Sequence, residues 1–367
     1  MHDLCRQKGY KSMSNKQIAT DELSARRNRV GGQAVLEGVM MRAGSECATA
    51  CRKPDGTIAV DRRSFVSIRK KHKFLDKPIL RGIVNFIEML ILSFKTLTRS
   101  AEIMGVEEGA EESRFEKWIK KHLGVGFFDM IMAVAAVLGV VLCLFLFMYV
   151  PNYCANWISS LLAIKSGLFK AFIEGVMKVA VFILYIVLVS FMKDIRRTFE
   201  YHGAEHKTIA CFEAGEELTP ENAKKHCRLH PRCGTSFLFV MILLGIVIGL
   251  FVHHILPGLP SLLYVLIRLL LLPLVVGLGY EFIMYAGTHD HRVIRILSKP
   301  GLWMQQLTTK EPDDAQLEVA IIATKCAMPD VFPDFDPTPY LDAASTEEKE
   351  DAAEEEDSAD QAPDASV

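Results

Sequence analysis

The chain has 367 residues, half of them hydrophobic, and a mean hydropathy of +0.20. That is too apolar for two ordinary soluble domains and has the balance of a polytopic membrane protein with soluble ends. The formal net charge of −2 joins a basic front half to an acidic tail, which excludes a chain-wide basic surface for nucleic acid.

Residues 1–28 are polar and basic and lack the apolar run of a cleavable signal peptide. They read as a disordered tail that stays in the compartment of synthesis. Residues 29–78 read as a cytoplasmic β-hairpin region, because Pro54-Asp55-Gly56 separates two alternating runs rich in β-branched residues. Within it, "GGQAVLEGVMMR" (31–42) is neither a phosphate loop nor a dinucleotide fingerprint. Its Glu37 reads either as a further acid for a site or as a neighbour of glycines that allow tight packing. Residues 79–126 read as an interfacial or re-entrant helix with a linker. The apolar stretch there is broken by Arg81, Asn85, Glu88 and Lys95, too many polar groups for a lipid-exposed span.

Four stretches reach the roughly 20 apolar residues that a bilayer crossing needs: 127–150, ended by Pro151, then 172–192, 237–256 and 262–283. They form two helix pairs, 127–192 and 237–283. Lys and Arg are dense before the first span and between the second and third. The connection after the first span carries only Lys165 and Lys170, and the last turn has none. This alternation predicts a multi-pass protein of the cell membrane with both termini, and the connection 193–236, in the cytoplasm. Residues 284–342 read as a cytoplasmic C-terminal segment and 343–367 as a disordered acidic tail. The predicted fold is mainly α: a polytopic helical membrane protein with about four transmembrane helices, an interfacial or re-entrant helix and a small N-terminal β-hairpin element.

The chemistry concentrates in 193–236. "HGAEH" places His202, Glu205 and His206 on one helix face if the segment is helical, in the reversed zincin pattern H-x-x-E-H. Two neutral imidazoles ligate zinc in that pattern, and the glutamate draws a proton from water. "KKHCRLHPRCGTSF" adds His226, Cys227, His230 and Cys233, nitrogen and sulfur donors that zinc accepts readily. His230 and Cys233, flanking a Pro-Arg turn, are the stronger ligands of this group, and Cys211 and Cys227 read as packing thiols. The same histidines also fit a plain polar face at the membrane surface, with Glu205 paired to Lys207, Arg228 or Arg232. Other candidates are His289, Asp290 and His291 with Glu281, Asp313 or Asp314 as a helix N-cap or an extra acid, and Arg268 in the last span, which needs an acid such as Glu174.

Five strings, "GGQAVLEGVMMR", "PILRG", "YHGAEHKTIACFEAG", "RLHPRCGTSF" and "PGLWMQQLTTKEPDDAQLEVAI", resemble in order the YqhQ-like proteins over about residues 29–328. This is a domain-of-unknown-function family of bacterial and plastid-type membrane proteins described as predicted metal-dependent enzymes. The resemblance implies that His202, Glu205, His206, His230 and Cys233 share whatever role the family motifs have, and leaves His226, Cys227, His289 and His291 outside them. Two functions are expected. In one, a zinc ion held by His202, His206 and either His230 or Cys233 serves a hydrolase with Glu205 as general base, acting on a lipid or membrane-protein substrate. Lys207, Arg228 and Arg232 would then bind an anionic headgroup. In the other, all four donors close a structural site in a non-enzymatic membrane scaffold or assembly factor, which can oligomerise.

Overall fold

The computed structural model describes residues 29–105, 127–230, 233–288 and 292–342. The two predicted tails, the linker at 106–126, Arg232, His289, Asp290 and His291 lie outside the described residues. The fold is mainly α, with one small antiparallel sheet near the N-terminus. Its strands are β1 (Gly31–Val35), β2 (Gly38–Ala43), β3 (Glu46–Arg52) and β4 (Ile58–Ser64), paired in chain order. The helices are α1 (Leu80–Ile103), α2 (Phe127–Leu144), α3 (Val150–Leu161), α4 (Gly167–Val189), α5 (Lys193–Glu213), α6 (Pro220–Lys224), α7 (Gly234–Ile255), α8 (Ser261–Thr288), α9 (Arg292–Thr308) and α10 (Asp314–Ala327).

The predicted hairpin is β3–β4, turning where Gly56 adopts φ +88° and Asp55 Oδ1 accepts the Thr57 N–H at 2.8 Å. β1 and β2 extend it to four strands through Leu36-Glu37, a two-residue connection that holds Glu37 at φ +48°. Successive residues point to opposite faces of the sheet. Val39, Met41, Ala48, Ala50 and Val60 pack with Tyr201 and Phe212 of α5 and with Leu317 and Ile321 of α10. Met40 and Cys47 pack instead with Leu92, and Val35, Cys51 and Ala59 with Ile103, both on α1. Covering both faces explains why β3 is buried continuously from Cys47 to Cys51 and not on alternate residues as the hairpin reading expects.

α1 runs unbroken from Leu80 to Ile103. Its start lies against α8, where glycines let the backbones close in. A Cβ at Gly82 would sit 2.7 Å from Tyr280 Cβ, and one at Gly277 only 2.4 Å from Ile79 Cγ2. Arg81 pairs there with Glu281 at 2.5 Å, and at the other end Arg99 pairs with Asp342 at 2.8 Å. Ile87, Leu90, Ile91, Phe94 and Leu97 remain exposed along its outer face. α1 is nevertheless not among the helices long and apolar enough to cross a membrane.

Among the described residues four helices meet that criterion, at Val137–Leu161, Gly167–Val189, Gly234–Ile255 and Leu262–Ala286. Leu138, Leu188, Phe251 and Leu270 on them stand 62, 58, 61 and 80% exposed. Apolar surface of that extent fits hydrocarbon rather than water. Pro151 does not end the first span as expected. A proline lacks its N–H and crowds the carbonyl four residues back. Here the chain widens into a π-turn at Phe145–Tyr149, which absorbs the defect and lets the helix continue to Leu161.

The close approach at Gly277 gives a direct test. Gly277→Ala should lower the melting temperature in detergent by an amount equivalent to about 1–3 kcal/mol, because the methyl group would overlap Ile79. Gly245→Ala, with nothing within 4 Å of the added carbon, should leave it unchanged or raise it slightly.

Candidate metal centre

α5 has the composition of a surface helix, yet Tyr201 and nine of the eleven residues after it, Gly203 to Ile209, Cys211 and Phe212, are buried. The helix lies between the sheet, α10 and the segment that links α9 to α10. Gly203 permits the last of these contacts, since a Cβ there would lie 2.0 Å from the Lys310 carbonyl oxygen. The Lys310 N–H in turn donates to Phe199 O at 2.8 Å. α5 ends in a Schellman motif, with Gly215 at φ +74° and N–H bonds from Gly215 to Phe212 O and from Glu216 to Cys211 O.

On the face beside that segment, His202 donates its Nδ1–H to Thr308 O at 2.9 Å, and His206 donates its Nδ1–H to Arg228 O at 2.5 Å. A carbonyl oxygen only accepts, so both imidazoles are held with Nδ1 protonated. In the neutral rings, Nε2 therefore carries the lone pair. His202 Nε2 lies 3.1 Å from Cys233 Sγ, and the donor atoms of His202, His206 and Cys233 all fall within 4.8 Å of one another. The rings of His202 and His206 meet edge to face at 4.4 Å. Cys233 is the N-cap residue of α7 and is also 3.2 Å from Thr235 Oγ1.

These residues fit a zinc ion. Tetrahedral zinc places nitrogen and sulfur ligands about 3.5 Å apart, close to the separation found here. Histidines that ligate zinc commonly donate their second ring nitrogen to a backbone carbonyl, as both do in this structure. Burial pushes the pKa of His206 down, with His202 and His230 adding to the effect and contact with Cys233 opposing it, so the ring favours its neutral, ligating form.

The other predicted residues separate. His230 is buried, but its Nε2 lies 3.6 Å from Glu213 Oε2, and its ring centroid is 5.7 Å from that of His206. Its backbone is clamped by Gln305, which accepts the His230 N–H at 2.8 Å and donates to the His230 carbonyl at 2.6 Å and to Ser236 Oγ at 2.8 Å. Glu205 turns toward β1, where its carboxyl carbon would sit 3.3 Å from a Cβ on Gly32. Lys207, one of the partners expected for it, is instead buried against Lys224 O and Glu311, at 3.0 and 2.9 Å, which also removes it as a headgroup binder. Glu205 Oε2 is buried without a hydrogen-bond partner. Desolvation pushes its carboxyl up to about 7, with nearby His202 pulling the other way.

Glu37 is not an acid of the centre, because it pairs with Arg197 and accepts from Tyr201. Glu281 is committed to Arg81. Asp313 is the N-cap of α10, in a capping box with Gln316, and Asp314 pairs with Lys224. His226 lies 3.2 Å from Glu216, in a second His/Cys/Glu group with Cys211, whose thiol burial pushes up to about 11. Gln305 and the carbonyls of Thr308 and Arg228 were not singled out by the sequence. The carbonyls carry no sequence signal, since every residue has one. A pair of adjacent amides, Gln305-Gln306, on an amphipathic helix was the available hint for Gln305.

The Glu205 carboxyl gives a pH signature. The folded chain holds its proton to about pH 7, whereas the unfolded chain releases it near the ordinary value of 4.5. The folded state thus binds more protons between these values, and stability falls as pH rises through that window, then levels off. In chelator-treated protein the loss should amount to up to about 3 kcal/mol. Glu205→Gln should flatten this part of the melting-temperature profile, and an unchanged profile would place the carboxyl in water.

Residues 77–330 match the family described as "Protein of unknown function (DUF1385)". The chain is also 37% identical over 297 residues to the "Uncharacterized protein YqhQ" of Bacillus subtilis (strain 168), which covers 79% of this chain and 89% of that protein. No solved structure matches. Neither description names a metal or a reaction, and the His/Cys group lies wholly inside the matched region. Four spans of membrane-crossing length, the five ordered strings and these two matches lead to one conclusion: the chain belongs to the DUF1385 family of proteins of unknown function.

Proposed function

We propose that this protein is a membrane-embedded, metal-dependent hydrolase whose zinc site, built from His202, His206 and Cys233, lies at the cytoplasmic face. The observation that carries this reading is the pair of Nδ1–H bonds to Thr308 O and Arg228 O, which turn both Nε2 atoms toward the sulfur. Three protein donors are the number typical of catalytic zinc, one fewer than a closed structural site takes. When bound, the ion would supply a Lewis acid for a carbonyl or phosphoryl oxygen.

The chain's own groups supply the rest. A carboxyl poised near neutrality by burial suits proton transfer at pH 7; once its side chain rotates from Gly32 toward the donors, Glu205 would take a proton from the attacking water and return it to the leaving group. The two backbone carbonyls keep the imidazoles in one tautomer and orientation. Cys233 caps a candidate membrane span, which supports a centre near the bilayer surface and an ester, amide or phosphoester of a lipid or membrane-bound substrate. The orientation with both termini in the cytoplasm follows from the distribution of Lys and Arg.

A second reading has one observation in its favour. His230 stands one ring away from His206, so a side-chain rotation away from Glu213 would add a fourth donor and close a structural site in a scaffold protein.

Elemental analysis of the detergent-purified protein should find about one zinc per chain, lost in the His202→Ala/His206→Ala double variant. A metal-free wild type after supplementation would rule out both readings. Glu205→Gln should keep its metal while turnover of ester, amide or phosphoester probes in vesicles falls by about 100-fold or more. His230→Ala separates the readings further, since it should weaken metal retention only if the site is closed by four donors.

A further inference from the structure

At the end of the helix bundle away from the His/Cys centre, a cavity of about 630 Å3 opens between the start of α4, the end of α7 and the start of α8. Cys233 caps one end of α7 and His253 lies near the other, about 30 Å away at 1.5 Å per residue. Lys165, Lys170 and Arg268 line the cavity, against a single acid, Glu174.

Glu174 is already shared. It is 4% exposed, and its Oε1 takes both Arg268 Nη1 and Lys178 Nζ, the latter at 2.8 Å. One carboxylate therefore answers two cations, and Lys165 and Lys170 find no second acid among the lining residues. Two donor-capable atoms in the same place, Arg268 Nε and His253 Nδ1, are buried without hydrogen-bond partners. The His253 ring is stacked on Tyr264 at 4.0 Å, and Tyr264 is itself anchored by its hydroxyl to Leu256 O at 2.6 Å. The guanidinium edge that Glu174 leaves unused runs past Gly249, where a Cβ would lie 3.3 Å from Nε and 3.4 Å from Nη2. That glycine keeps the edge clear.

Surplus positive charge and orphaned donors inside an apolar bundle are costly unless an anion joins them. The Nε–Nη2 edge of arginine is the fork that grips two oxygens of one oxyanion, and two lysines at the mouth suit a group with more than one negative oxygen. The volume is that of an ordinary small-ligand site. We propose that this cavity binds a phosphate group, gripped by Arg268 and held by Lys165, Lys170 and His253. The group is presented by an anionic lipid headgroup or by a soluble phosphate.

The test uses the full chain in nanodiscs. Inorganic phosphate is titrated by calorimetry into protein held in phosphatidylcholine discs. Phosphatidylglycerol retention is measured by native mass spectrometry after exchange from mixed discs. Arg268→Gln also strips Glu174 of a partner, so the Lys165→Gln/Lys170→Gln and Gly249→Ala variants, which keep the Glu174–Arg268 pair, carry the comparison. Binding of either probe by the wild type, weakened about tenfold or more in both variants at unchanged melting temperature, supports the site. Phosphate binding without anionic lipid assigns it to a soluble ligand, and retention of phosphatidylglycerol alone assigns it to a headgroup. A wild type that binds neither probe more tightly than the double-lysine variant overturns the proposal.

Discussion

The carbonyl oxygen of Lys310 comes so near α5 that only a glycine fits at residue 203, and the arrangement of the candidate centre follows from that crossing. The segment leaving α9 is drawn across the helix, where the Lys310 N–H bonds to Phe199 O and the Thr308 carbonyl arrives at His202 Nδ1. The same segment is the end of the helix that carries Gln305, whose amide clamps His230 and Ser236. Gly301, one turn earlier on α9, packs against Ser236, where a Cβ would lie 2.9 Å from the serine Cβ. One close backbone approach thus ties α5, α9 and the start of α7 into a single unit, and the three donor residues belong to two of its parts.

The centre also joins the layer of sheet, α5 and α10 to the helices of membrane-crossing length. Its two histidines belong to α5, which shares a core with the sheet and α10, while its cysteine begins a helix of membrane-crossing length. A tilt of α7 therefore moves the sulfur relative to the imidazoles, whose positions are held by backbone hydrogen bonds. Glu205 sits on the sheet side of the same helix, dry and without a partner for Oε2, a state that favours its neutral form. Burial of an unpaired acid is a stability cost that a protein keeps where the group has work to do.

Much of the architecture could be read from one dimension. The spans betray themselves because a bilayer demands some 20 consecutive apolar residues, a requirement that is local in sequence. The β3–β4 turn was legible through Pro54-Asp55-Gly56, and the N-cap through Asp313. β1 and β2 were not, since Glu37 bends the chain at positive φ without the glycine or asparagine that usually marks such a turn. Pro151 misled for the opposite reason: its local rule is helix termination, but a π-turn relieves the clash at little cost.

By itself the sequence determined the mainly helical membrane class, the helical spacing of His202 and His206, and the nearness of several nitrogen and sulfur donors along the chain. These depend on periodicity and composition, which neighbours in sequence impose. Only the tertiary structure decided that Cys233 rather than His230 lies against the histidine pair, that Glu205 turns to Gly32 and Glu37 to Arg197, and that Thr308 and Arg228 set the tautomers. Those choices rest on which backbone carbonyls and acids reach each side chain from elements as far as 106 and 160 residues away, and no local pattern encodes that.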